Sequence, residues 1–367
     1  MSDADPPPEP RRRARGPRPR TDGVNIEEVA RQAGVSVATV SRALRGLPNV
    51  APSTRTRVED VARALNYRVD TYASRLATGR SDTVCLAVPN IDSWYFSKVA
   101  AGAEAVLADA GMDVLLHSVD DAGGRARLLS STSPIRRRLD GLILIDVLLS
   151  PAEIEALADD DLRVVTVGQR TEEFPSVTVD NRGATAAATR HLLELGHRDI
   201  ALIGGSSGTV LPFDVPAHRR AGYLDALAEV GLEPDPRLEV DGNFSVQGGA
   251  EAMAQLLESG RPFTAVLALS DEMAMGAVRA AAVAGRRVPD DLSVVGFDGH
   301  EVAEVLDLTT VRQQPSAQGA TAGRLLLDLH DHPSPEPPHP VGETELVVRG
   351  TTAPPADRAI GLPSGSR

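Results

Sequence analysis

The sequence predicts a small all-α head carrying a helix-turn-helix, followed by a much larger α/β core of two lobes. Three observations carry this. A chain of 367 residues is longer than one ordinary domain requires. Residues 26–44 hold two short helical patterns joined by a tight turn containing glycine. From about residue 82 onward, short apolar runs alternate with helix-period stretches, the signature of parallel sheets covered by helices on both faces.

In the head, Ile26, Val29 and Ala30 form the apolar stripe of a first helix, and Gly34 supplies a turn tolerant of positive φ. Ser36 stands where its oxygen can cap a second helix over 37–44. In that helix Val35, Val40 and Leu44 face inward, while Val37, Ala38, Ser41 and Arg42 point out. A third helix from about Pro52 to Asn66 buries Val58, Val61, Ala62 and Leu65. In a helix-turn-helix the second helix enters the major groove of DNA with its N-terminal residues foremost.

In the core, strands are expected at 83–88, 113–117, 141–145, 163–167, 200–204, 265–269 and 292–296. Helices are expected at 96–110, 152–158, 183–195, 219–230, 246–257 and 271–284, several of them ending at glycines 111, 196, 231 and 285. About 285 residues of this pattern exceed one doubly wound sheet, so two lobes are expected. Residues 1–22, rich in proline and arginine, and the tail after about residue 352 bury too little apolar surface to offset ordering entropy and are expected to be disordered. The expected boundaries are therefore a tail at 1–22, a helix-turn-helix domain at 23–69, a linker at 70–81, the core at 82–352 and a tail at 353–367.

The net charge of −13 is divided unevenly. Residues 1–80 carry 15 arginines against nine acids, whereas the remainder carries 23 basic against 42 acidic residues. A basic head on an acidic body suits a nucleic-acid partner for the head. No apolar run approaches the roughly 18 residues of a membrane helix, and no secretory h-region is visible, so no membrane partner is expected. Cys85 is the only cysteine, which precludes an intrachain disulfide and fits a reducing cytoplasm. It lies in an apolar run and reads as a buried hydrophobe rather than a nucleophile.

Residues 25–44, NIEEVARQAGVSVATVSRAL, resemble the start of the LacI/GalR family of bacterial transcription regulators. The resemblance runs through Asn66-Tyr67-Arg68 and the linker 73–80, ASRLATGR. It continues through Val88-Pro89-Asn90, Asp140-Gly141-Leu142-Ile143-Leu144, Val179-Asp180-Asn181 and the stretch 191–197, HLLELGH. It closes with 293–298, SVVGFD, and 308–313, LTTVRQ, and so covers about residues 24–352 in order.

The resemblance implies a helix-turn-helix on a hinge helix, then a two-lobed core similar to periplasmic sugar-binding proteins of type I. It implies a homodimer on a pseudo-palindromic double-stranded DNA operator, with a small-molecule effector, a carbohydrate or a molecule like one. Val37, Ala38 and Arg42 fall on the base-reading positions; Arg42 can hold guanine bidentately, or else contact phosphate. Ser36, Thr39 and Ser41 fall where side chains touch phosphates or cap the helix. Leu76 matches the hinge leucine that wedges into the minor groove. For the effector the matching positions are Tyr95, Phe96, Arg170, Asp180, Arg219, Asp271 and Asp298, with helix capping or lobe bridging the other reading of Asp180 and Asp298. An arginine donating in a fork beside accepting carboxylates suits a polyhydroxyl ligand.

Four positions depart from the family pattern: Val69 in place of proline, Ala51 in place of a serine cap, Trp94 in place of proline and Ser270 in place of asparagine. No cofactor or metal is implied and an enzyme is not expected. Gly204-Gly205-Ser206-Ser207-Gly208 lacks phosphate-loop spacing, and His330, His332 and His339 sit in a proline-rich stretch. Two rivals remain at this point: a sugar-binding transport receptor, and a sugar-acting enzyme on the same core.

Overall fold

The computed structural model describes residues 25–44, 48–67, 81–119, 121–130, 132–160, 162–205, 214–331 and 336–356. The expectations placed on residues 1–22, on the linker with Leu76, on Val69, on Ser206, Ser207 and Gly208, on His332 and on residues 357–367 lie outside them. Two compact units divide between residues 80 and 81.

Among the described residues the first unit holds three helices, α1 (Ile26–Ala33), α2 (Val37–Leu44) and α3 (Pro52–Ala64). Asn25 starts α1 by accepting from the Glu28 backbone N–H at 2.9 Å, and Glu27 and Glu28 complement the positive end of the helix dipole. Gly34 ends the helix at φ 66°, the left-handed turn that an L side chain resists. Ser36 Oγ accepts from the Thr39 N–H at 3.2 Å and so caps α2. Val29, Ala33, Val40, Ala43, Val58 and Ala62 are buried together, and Val35, Leu44, Val61 and Leu65 pack around them.

The second unit holds two six-stranded sheets. The first has the order β11–β5–β4–β3–β1–β2. Its strands are β1 (Thr83–Val88), β2 (Asp113–Ser118), β3 (Gly141–Ile145), β4 (Arg163–Val167), β5 (Ser176–Val179) and β11 (Val341–Gly342), all parallel. Helices α4 (Trp94–Asp109), α5 (Ala122–Leu129), α6 (Pro151–Ala158) and α12 (Pro315–Asp331) complete this lobe. Successive side chains of β1 and β3 go to opposite faces: Val84, Leu86, Ile143 and Ile145 face α4 and α12, while Cys85, Ala87, Leu142 and Leu144 meet Leu128 and Leu157. Burial on both faces explains why these strands read as unbroken apolar runs.

The second sheet runs β12–β10–β9–β8–β6–β7. It comprises β6 (Ile200–Gly204), β7 (Glu239–Asp241), β8 (Ala265–Ala268), β9 (Ser293–Asp298), β10 (Thr309–Arg312) and β12 (Glu345–Val347), the last antiparallel to β10. Its helices are α7 (Asn181–Glu194), α8 (Val215–Glu229), α9 (Val246–Glu258), α10 (Asp271–Val283) and α11 (Glu301–Val305). The chain crosses between lobes three times, from β5 to α7, from β10 to α12 and from β11 to β12. The seven expected strands and six expected core helices are present with ends shifted by a few residues, and glycines 111, 196, 231 and 285 all have positive φ. Strands β5, β7, β10, β11 and β12 and helices α5, α11 and α12 were not foreseen in the sequence.

Candidate functional site

The C-terminal ends of strands from both sheets converge on a cavity of about 360 Å³. This is where open α/β sheets place their ligands. Pro89 and Asn90 follow β1, Asp146 follows β3, Gly168 follows β4, and Ser93, Tyr95 and Phe96 come from the start of α4. The other lobe supplies Arg219 from α8, Asn243 and Phe244 after β7, Ser270 and Glu272 around the start of α10, and Asp298 at the end of β9. Val179, Asn181, Gln313 and Gln318 lie on or beside the crossings.

Arg219 is buried and organises this wall. Its Nε donates to Asn181 Oδ1 at 2.9 Å, Nη1 to the Leu269 carbonyl and Nη2 to Asp298 Oδ1 at 3.1 Å. The guanidinium lies 3.5 Å over the Phe297 ring, a cation–π contact that further fixes its plane. Gln313 Nε2 donates to the same Asp298 oxygen at 2.8 Å, and Gln318 Nε2 donates to Gln313 Oε1 at 2.9 Å. Tyr95 OH then donates to Gln318 Oε1 at 3.0 Å. A hydrogen-bonded chain thus runs from Arg219 in one lobe to Tyr95 in the other.

Asp146 is only 7% exposed and its carboxylate has no hydrogen-bond partner among the described residues. It holds φ 49° beside Gly168 (φ 91°), where a Cβ would lie 1.5 Å from Asp146 Oδ1, so glycine is the residue that admits the carboxylate. Burial pushes the Asp146 carboxyl up to about 7 against the opposing charge of Arg219, and pushes Glu272 to about 7 as well. Burial also raises Asp298, opposed by Arg219. An ionised carboxylate without donors in such a place is stabilised by a ligand that brings hydroxyl hydrogens to it.

Of the effector residues inferred from the sequence, Tyr95, Phe96, Arg219 and Asp298 line the cavity. Asp180 does not; it is exposed and accepts from the Gly183 N–H at 2.8 Å, capping α7. Asp271 is buried behind the wall, accepting from Thr310 Oγ1 at 2.6 Å and the His300 N–H at 2.7 Å. Burial holds its carboxyl at about 8. Arg170 is exposed and off the lining. Sequence reasoning missed Asp146, Asn181, Glu272, Phe244, Gln313 and Gln318. Asp146 had a visible signal, an acid directly after the apolar strand Gly141–Ile145, and Gln313 closes the stretch 308–313 that carries the family resemblance; Gln318 had none. Ser270, in place of asparagine, caps α10 by accepting from the Met273 N–H at 3.2 Å.

In the first unit, Ser36, Val37, Ala38 and Arg42 are exposed, Thr39 and Ser41 are half-buried, and Val40 and Ala43 face the core. Ser36 Oγ also pairs with Thr39 Oγ1 at 2.9 Å, so these two hydroxyls serve the cap. Ala51 provides no side-chain cap for α3, with Pro52 following it. Cys85 is fully buried, and burial pushes its thiol up to about 12. His339 Nδ1 lies 2.8 Å from Ser176 Oγ. Among the described residues no three His, Cys, Asp or Glu side chains gather as metal ligands, and no helix is long and apolar enough to cross a membrane.

A helix-turn-helix unit coupled in one chain to a two-lobed ligand-binding core defines a ligand-responsive DNA-binding regulator. Residues 25–70 match the model of bacterial regulatory proteins of the lacI family, and residues 189–352 match that of periplasmic binding protein-like domains. Catabolite control protein A of Priestia megaterium is 34% identical over 307 residues, 83% of this chain and 91% of that protein. The crystal structure of the lac repressor dimer bound to operator and the anti-inducer ONPF superposes with a TM-score of 0.80 at 29% identity, covering 90% of this chain and 99% of that one. The transcriptional regulator CelR in complex with cellobiose gives 0.66 at 31%, covering 89% and 99%. The chain belongs to the LacI family of bacterial transcription regulators.

Proposed function

We propose that this protein is a cytoplasmic repressor that binds a DNA operator as a homodimer and is controlled by a small polyhydroxyl effector held between its lobes. The single observation that carries the effector reading is the buried Asp146 carboxylate, without a donor among the described residues, beside the Arg219–Asp298–Gln313–Gln318 chain. Each guanidinium nitrogen of Arg219 is already bonded to protein, and the rest of the charged wall is carboxylate. An uncharged sugar therefore suits the cavity better than a sugar phosphate, which among the described lining residues would meet the carboxylates of Asp146, Glu272 and Asp298, with Arg219 the one cation and already paired to Asp298. Tyr95, Phe96 and Phe244 offer apolar surface for the carbon face of a sugar ring.

On the DNA side, the exposed Val37, Ala38 and Arg42 read bases, Ser36, Thr39 and Ser41 orient the helix on the phosphate backbone, and Leu76 kinks the duplex. Effector binding and operator binding are then reciprocally linked, each changing the affinity of the other by the same factor. The relatives are regulators, and no turnover is assigned to the cavity.

Two measurements test this reading on the full chain. A thermal-shift series against neutral sugars, sugar phosphates and nucleosides should show stabilisation by a neutral polyhydroxyl compound and not by its phosphate ester. Selection of bound duplexes from random sequence should return a two-fold symmetric site, and deletion of residues 1–80 should abolish binding. Consumption of the bound sugar, or selection without a consensus, would overturn it.

A further inference from the structure

Trp94 is the only tryptophan of the chain and stands at the start of α4, immediately between the cavity residues Ser93 and Tyr95. It is not on the cavity wall. Its indole instead reaches the other lobe, stacked on the His300 imidazole with centroids 4.5 Å apart and planes inclined by 30°. Its Nε1 donates to Glu301 Oε2 at 2.5 Å. Glu301 also pairs with Lys98 Nζ at 3.3 Å, one helical turn along α4, and that ammonium lies 5.8 Å from the indole centroid. The Trp94 backbone N–H favours the charged form of Glu272 of the opposite lobe, while Ser93, at the N-cap position, makes no side-chain capping bond.

The start of α4 is therefore clamped through the Trp94 indole by side chains from the other lobe. His300 is itself held, its backbone N–H by Asp271 at 2.7 Å and its Nδ1 by the Val302 N–H at 3.0 Å, so the ring is presented at a fixed angle. Release of the indole would free the segment that carries Tyr95 and Phe96 from the opposite lobe.

We infer that Trp94, His300 and Glu301 form a latch that holds the two lobes together beside the cavity, and that His300 and Glu301 are positioning residues for the cavity wall formed by Ser93, Tyr95 and Phe96. The latch engages two different kinds of contact at one indole: a ring stack and a charge-assisted hydrogen bond. Opening of the lobes breaks both at once, which makes closure cooperative rather than gradual. The consequence for effector binding rests on the function proposed above; the latch itself does not.

Because Trp94 is the sole tryptophan, the full-length protein reports the latch without an effector or DNA. Acrylamide quenching of the tryptophan emission and amide exchange over residues 90–98 should both show protection in the unaltered protein. His300→Ala and Glu301→Ala should each move the latched-to-open ratio by about tenfold, the loss expected for one such contact, and raise both quenching and exchange. His300→Phe, which keeps a ring to stack on, should restore protection. Unchanged melting of the sheets in these variants, read by far-UV circular dichroism, separates latch loss from unfolding; Lys98→Ala supplies a milder second variant should either alanine change unfold the chain. An indole as open to acrylamide in the unaltered protein as in the variants, or protection at 90–98 that none of them moves, would overturn the latch while leaving the effector reading intact.

Discussion

At the scale of single residues, the cavity is a place where carboxylates are kept without sufficient donors. Asp146 is the sharpest case, with its folded pKa at about 7 against an ordinary value of 3.8. Between about pH 4 and pH 7 the native chain then holds a proton that the unfolded chain has lost, so stability falls as pH rises through that window and is level above it. Asp146→Asn removes this penalty and keeps a residue tolerant of positive φ. The variant should therefore melt above the unaltered protein at pH 8 and with it at pH 4, by amounts that correspond to a few kcal/mol at the higher pH; a difference independent of pH would show that Asp146 is already satisfied. Asp271 and Glu272 titrate in the same direction, but they are common to both proteins and cancel in the comparison. The site was half legible in the sequence for a related reason. Arg219 and Asp298 are charged residues whose types announce chemistry, whereas Gln313 and Gln318 act only through a partner three-dimensional neighbours away, which no spacing discloses.

At the scale of elements, legibility followed the strength of local periodicity. β1 and β3 are nearly unbroken apolar runs because both faces are covered, and they stand out. β5, β7, β10, β11 and β12 are two to four residues long, too short for any period, and owe their place to pairing with neighbours distant in sequence. α12 is the instructive miss: its 17 residues include a polar and small-residue first half, Pro315–Ala322, whose helical period is faint because it packs on α4 through alanine and glycine. In the first unit the missing element-level signal was a cap rather than a period. Ala51 has the extended backbone of an N-cap, with φ −57° and ψ 139°, but no oxygen to offer. Ala51→Ser should supply an acceptor for the Thr54 N–H and stabilise α3 by about 1 kcal/mol. Slower amide exchange confined to the first turn of α3 would register that gain, and exchange unchanged there would mean that Pro52 already sets the helix start without it.

At the scale of the whole molecule, charge is partitioned so that attraction for DNA belongs to the first 80 residues, while the remaining 287 carry a large excess of acid. Phosphate-directed binding releases counterions, so the logarithm of operator affinity should fall linearly with the logarithm of salt, and the slope counts the phosphates that the head neutralises. Arg42 is the one cation on α2, exposed on the face that carries Val37 and Ala38, neither of which can hydrogen-bond to a base. If it reads guanine, Arg42→Ala should weaken operator binding by about 1–3 kcal/mol, relax the preference at one base pair of each half-site, and leave the salt slope unchanged. A phosphate contact would show the converse: uniform weakening over all sequences with a slope shallower by about one. Fluorescence anisotropy with the operator and with a duplex changed at that pair, each measured at several salt concentrations, separates the two. The acidic core sharpens this measurement, since its net negative charge disfavours a second, nonspecific path to phosphate and leaves the slope to the basic head.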